Sequence, residues 1–118
     1  MAAVRKLLAA VDSGDVDAIC ESLTDDVRFQ FGNAEPIVGK PGFKAASDAV
    51  FDIVAESRHD IRHLWEVEEG TVVAVMDVHY ERVDGRRLSL PCCNLFRVRE
   101  SGIYEYRVFM DPTPVFAE

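Results

Sequence analysis

Four side chains in this 118-residue sequence have the chemistry for proton transfer if the fold brings them together: Asp77 in VAVMDVHY, His79 two positions later, His63 in HDIRHLWEVE, and Asn94 in LPCCNLFRV. A carboxylate set among Val, Ala and Met loses hydration. Its pKa then rises unless a donor satisfies it, and a raised pKa suits a general base. Asn94 can offer an amide N–H from a fixed position to charge that develops on a substrate, and His63 or His79 can shuttle the proton. The opposing reading makes Asp77 a buried structural acid satisfied by His63, His79 or Tyr106.

Cys92 is the one thiol expected beside this group, but no Cys-His-Asn signature surrounds it, and a small buried hydrophobe is the plainer reading. His59, His63 and His79 all fall beside Asp77 in the register argued below. His-x-x-x-His is a zinc spacing on a helix; on an extended strand the two rings stand ~13 Å apart and cannot share an ion. His59, His79 and Asp77 form the one feasible set, and the sequence is read without a metal or a dissociable cofactor.

The elements that must position these residues lie mostly between Thr71 and Asp111, which reads as three consecutive antiparallel strands. A two-residue Asp84-Gly85 turn suits hairpin twist and pairs Val83 with Arg86. That register sets Asp77 opposite Cys92, Val75 opposite Asn94, and His79 opposite Leu90, all on one face. The other face then carries Met76, Val78, Tyr80, Pro91, Cys93 and Leu95. A Glu100-Ser101-Gly102 loop places Asn94 across from Val108 and Cys92 across from Met110. Upstream, His59 to Glu68 alternates as a further strand, and a loop ending on Gly70 pairs Val67 with Thr71, His63 with Val75 and His59 with His79.

Earlier in the chain, Val4, Leu7, Leu8 and Val11 recur at helical spacing, predicting a helix over residues 2–12 that stops at Ser13-Gly14. Asp15 caps a second helix carrying Val16, Ile19, Cys20 and Leu23. Val27 to Phe31 alternates as a strand, and Gly32 to Gly42 is a loop with a brief strand at Ile37-Val38. Phe43, Ala46, Val50 and Val54 predict a helix of about four turns ending near Ser57. This order is an α+β arrangement in one domain spanning residues 1–118: a cone-shaped, curved antiparallel or mixed sheet wrapped around a long helix, with two N-terminal helices. The inner wall is expected to hold Phe29, Phe31, Trp65, Val75, Cys92, Tyr106, Val108 and Met110.

Composition bounds the partners. With 48% hydrophobic residues the chain can build a real core, and its formal charge of −8 repels phosphate backbones and anionic lipid. Nucleic acid and membrane are therefore excluded as expected partners. The N-terminal stretch lacks the uninterrupted apolar run of a signal peptide, and three cysteines without framework spacing fit a reducing, cytoplasmic setting.

The sequence resembles the SnoaL-like branch of the nuclear transport factor 2-like superfamily, which includes ketosteroid isomerases, limonene epoxide hydrolase and polyketide cyclases. The resemblance rests on VDSGDVDAICESLTDDVRFQF, on Gly39-Lys40 ahead of the long helix, on the run from Gly70 to Asp111, and on the closing Asp111-Pro112. It implies a small apolar ligand held in the cone and pairing through the outer sheet face. The isomerase's functional positions align with Leu7, Phe31 and Asn94, of which only Asn94 retains a hydrogen-bonding group. The epoxide hydrolase's align with Val75, Asp77 and Val108, of which only Asp77 retains the acid. Three readings remain: an isomerase, cyclase or hydrolase type of enzyme using Asp77 and Asn94, a non-catalytic ligand carrier, or an interaction module. A homodimer through Met76, Val78, Tyr80, Pro91, Cys93, Leu95 and Phe109 is expected because that apolar face needs cover.

Overall fold

The computed structural model describes residues 1–117. Two helices, α1 (Ala2–Ser13) and α2 (Val16–Glu21), precede β1 (Leu23–Phe31), β2 (Ile37–Val38) and α3 (Lys40–Phe51). Four long strands follow, β3 (Val54–Glu68), β4 (Thr71–Arg82), β5 (Arg87–Arg99) and β6 (Gly102–Phe109), and α4 (Thr113–Phe116) closes the described chain. The strands form one open sheet in the order β2-β1-β6-β5-β4-β3, with β1 and β6 parallel and the other neighbours antiparallel. This is the expected α+β architecture. Among the described residues no helix is long and apolar enough to cross a membrane.

Local chemistry explains the helix ends. α1 buries Val4, Leu7 and Leu8, and Gly14 (φ 70°) ends it in the left-handed conformation that lets the next amides reach back to Val11 and Ala10. Asp15 caps α2, its Oδ1 accepting the Ala18 N–H at 3.1 Å. α3 stops at Phe51, short of the expected Ser57, because the chain from Val54 onward extends and joins the β3–β4 ladder as far as Val54 opposite Arg82. Long-range pairing outweighs local helical spacing there.

The β4–β5 register differs from the expected one by one residue, and the difference reverses β4. The loop holds three residues, Val83-Asp84-Gly85: Arg82 N–H donates to Arg86 O, and Gly85 (φ 91°) N–H donates to Arg82 O. Among the described residues no non-glycine has positive φ, so Asp84-Gly85 cannot be the two-residue turn that needs positive φ at both positions. Met76 therefore pairs with Cys92, Ala74 with Asn94 and Asp77 with Pro91. Val72, Ala74, Met76 and Val78 are fully buried on the helix-covered face, and Val73, Val75, Asp77 and His79 lie on the outer one. A one-residue slip moves every side chain of a strand to the opposite face.

In β3, His63 pairs with Val75 as expected, but the register shifts at Arg62, so His59 pairs with Val78 and not with His79. A bulge breaks the two-residue period and separates two histidines that a regular strand would align. In β5–β6, Asn94 does pair with Val108 as expected, but not through a three-residue loop: Arg99 pairs with Gly102 across Glu100-Ser101, and a register shift between Arg97 and Val98 restores the pairing. The core lies between α1, α2 and the inner sheet face, with Leu7, Ile19, Leu23, Met76, Phe96 and Ile103 among its fully buried members.

Candidate active site

The Arg62 bulge turns His59 inward, toward the end of α1. Asp12 waits there. It stands four residues after Leu8, on the apolar stripe of the helix, and its carboxylate accepts from three donors: His59 Nδ1 at 2.5 Å, the His59 backbone N–H at 2.9 Å and Ser57 Oγ at 3.2 Å. Burial tends to raise the Asp12 carboxyl. The hydrogen bonds from the His59 ring, the His59 N–H and Ser57 outweigh it and hold the group below its ordinary value. An ionised Asp12 requires a proton on Nδ1, so it is Nε2 that carries the lone pair in the neutral imidazole. Nε2 has no hydrogen-bond partner among the described residues, and the ring is one wall of a cavity.

That cavity, about 230 Å³, is overwhelmingly apolar. α3 gives it Phe43, Ala46, Val50 and Phe51, the sheet gives Phe29, Phe31, Cys92, Tyr106 and Val108, and Val11, Ile19, Val115 and Phe116 close the remaining sides. It also explains α3: of its apolar stripe only Phe43 is fully buried, because the rest borders empty space and not packed side chains. Phe29 anchors the aromatic wall, its ring centroid 5.0 Å from those of both Phe43 and Tyr106 in edge-on contacts.

Few polar groups interrupt this lining. Asn94, 1% exposed, accepts from the Cys92 thiol at 3.2 Å, and its amide nitrogen has no protein acceptor among the described residues. The Tyr80 hydroxyl points to the Met110 sulfur at 3.7 Å, and the Tyr106 hydroxyl has no hydrogen-bond partner among the described residues. Burial, more than the neighbouring Cys92, pushes both phenols well above their usual range, so each remains a donor. Burial likewise pushes the Cys92 thiol up to about 12, with Cys93 adding to the effect, which makes a nucleophilic thiolate costly.

The residues singled out from sequence divide between the two faces. Asn94, Phe29, Phe31, Cys92, Tyr106 and Val108 border the cavity. Asp77 does not: it lies outside, accepting from Arg62 Nε at 2.9 Å as an ordinary surface ion pair. His79 is also outside, its Nδ1 2.6 Å from Ser89 Oγ and its Nε2 3.8 Å from Asp60. His63 stacks on Trp65 on the same outer side, centroids 4.8 Å apart, and Val75 sits beside them. Met110 reaches Tyr80 but does not border the cavity. The expected dimer-face residues Met76, Val78 and Tyr80 are inside, for the register reason given above. The His59, His79 and Asp77 set is split across the sheet and cannot bind one ion.

Sequence reasoning missed Asp12 and assigned His59 no catalytic part. An acid at a helical apolar position, four after Leu8, was the available signal for Asp12. His59 had none, because the bulge that turns it is set by pairing and not by a local residue type.

Residues 4–106 match the SnoaL-like domain family. No curated protein matches the chain. Among solved structures, an NTF2-like protein of unknown function from Burkholderia pseudomallei K96243 superposes with a TM-score of 0.87 at 19% identity, over 99% of this chain and 97% of that one. A LEH-like epoxide hydrolase from M. tuberculosis gives 0.81 at 19% identity, over 98% and 84% of the two chains. A putative SnoaL-like polyketide cyclase from Shewanella denitrificans OS-217 gives 0.81 at 14%, over 93% and 88%. At such identities the likeness establishes the fold alone. The extent of the family match makes the chain a member of the SnoaL-like domain family, built on the NTF2-like fold.

Proposed function

We propose that this protein binds a small, neutral, largely apolar molecule in the cavity between α3 and the sheet and moves a proton on it, with His59 as general base. The observation that carries this reading is His59, held from behind by Asp12, on the wall of a largely apolar cavity. A carboxylate fixes the imidazole tautomer, stabilises the imidazolium that forms, and leaves Nε2 as the accepting atom. Asn94 supplies an amide donor, and Tyr106 a hydroxyl, for an oxygen that gains charge as the proton leaves. A carbonyl compound with an acidic neighbouring C–H meets those requirements, and the solved relatives' cyclase and hydrolase chemistries are compatible with such a site.

A second reading is a non-catalytic carrier. The three hydrogen bonds that Asp12 accepts also tie α1 to β3, which a purely structural clamp would do equally. Incubation with a panel of neutral cyclic ketones in D2O, followed by NMR, separates the two. Loss of α-proton signals above the buffer rate supports the enzyme. Saturable binding without exchange supports the carrier. Neither binding nor exchange overturns both.

A further inference from the structure

Most walls of the cavity are held by sheet ladder or by the long helices. The wall formed by Val115 and Phe116 is not: it belongs to α4, a single turn with no strand partner. What fixes it is Arg82, at the end of β4. Its Nη1 donates to the Val115 carbonyl at 2.8 Å and to the Ala117 carbonyl at 2.5 Å, and its Nη2 pairs with Asp84 at 3.1 Å. The guanidinium side chain is only 12% exposed.

We propose that residues 111–117 form a flap over the ligand cavity and that Arg82 is its latch. Two features on the flap itself favour a hinged unit. Asp111 Oδ1 accepts the Thr113 N–H at 3.0 Å and Pro112 O accepts the Val115 N–H at 2.9 Å, so the segment keeps its own shape. Val115 is 2% exposed while Phe116 is 39% exposed, so one side chain plugs the cavity and the next sits at its rim. The latch end is rigid. Val83 N–H donates to Ile53 O at 2.8 Å, which ties the Arg82 turn to the junction of α3 and β3, where Phe51 and Val54 form the adjoining wall.

The latch is also reversible by construction. Arg82 Nε is buried with no hydrogen-bond partner among the described residues, a penalty of the closed state that offsets part of the gain from the two carbonyl contacts. Opening would rehydrate the whole guanidinium and uncover Val115. Arg82 is thus a positioning residue. It acts on ligand entry and exit through α4 and has no part in the proton transfer.

This inference rests on the cavity being the ligand site, so its test has one arm that needs no ligand. Amide hydrogen exchange of the segment 111–117 is compared in wild type, Arg82→Met and Arg82→Lys, alongside stopped-flow release of N-phenyl-1-naphthylamine, a neutral apolar fluorophore. In Arg82→Met we expect flap exchange and probe release to rise about tenfold, with exchange in β4 and β5 unchanged. Arg82→Lys, which keeps the charge but loses the fork, should fall between the two. If Arg82→Met does not fold, Arg82→Lys decides alone: faster flap exchange than wild type supports the latch. Flap exchange equal to wild type in a folded variant overturns it. A flap that loosens while the probe binds neither protein upholds the latch and counts against the cavity as a ligand site.

Discussion

Asp12 and His59 lie forty-seven residues apart and meet at 2.5 Å because the bulge at Arg62 turns His59 away from the face that holds His63. The same bulge leaves Arg62 free to pair with Asp77 on the outer side. One irregularity in an edge strand thus turns one histidine into the cavity, while the β4–β5 register keeps the Asp77 carboxylate outside it.

The Asp12 carboxyl gives the fold an acid limb of known sign. Its folded-state pKa lies below its unfolded value of about 4, so the unfolded chain binds more protons as pH falls through that range. Its contribution is therefore complete above about pH 5 and is lost as pH drops through the folded pKa. Asp12→Asn should lower stability at neutral pH by about 1–3 kcal/mol and should lose less of the remainder on acidification than wild type does. Urea melts at about pH 7, 5 and 3 read this directly. Equal losses in the two proteins would contradict it.

The register has its own check in two adjacent residues. Met76 is 1% exposed against the core, whereas Val75 faces outward. Met76→Ala should cost about 2–5 kcal/mol and Val75→Ala less than about 1 kcal/mol, measured by denaturant unfolding. The reverse order would restore the register in which Asp77 points inward.

How far the sequence could be read follows from where its signals were local. The α1 stripe, the Asp15 cap and the Ile37-Val38 strand all rest on short-range patterns, and the structure has them. The Asp84-Gly85 dipeptide fits either a two-residue turn or the last two positions of a three-residue loop. The apolar series Val72, Ala74, Met76, Val78 resolves the choice, since that set and not its neighbours must be buried. The polar residues Asp77 and His79 belong to the other set and lie on the solvent side. The Arg62 bulge carries no glycine to announce it, so the inward turn of His59 was not legible at all.

Asn94 should separate function from stability. It is buried with one thiol contact, so Asn94→Leu, of similar size, should leave the melting temperature within a few degrees while slowing ketone α-proton exchange by about 10²–10³-fold. Unfolding of the variant, or exchange at the wild-type rate, would count against Asn94 as the oxyanion donor.

The outer sheet face remains apolar after the register is corrected. It carries Val73, Val75, Pro91, Cys93, Leu95 and Phe109, with Trp65 49% exposed and Phe109 46% exposed. We propose that a second copy covers it in a homodimer. Sedimentation at micromolar concentration should give a dimer, and Leu95→Lys should give a folded monomer. A monomer in the unmodified protein would overturn the proposal.

Whether the base is His59 inside the cavity or a residue outside it is read by comparing two histidine variants in the D2O exchange assay. His59→Gln should lose about 10²–10⁴-fold of the catalysed exchange, while His79→Gln, which removes a ring on the outer face, should retain the wild-type rate. Retention of exchange in His59→Gln with its loss in His79→Gln would put the base on the outer face.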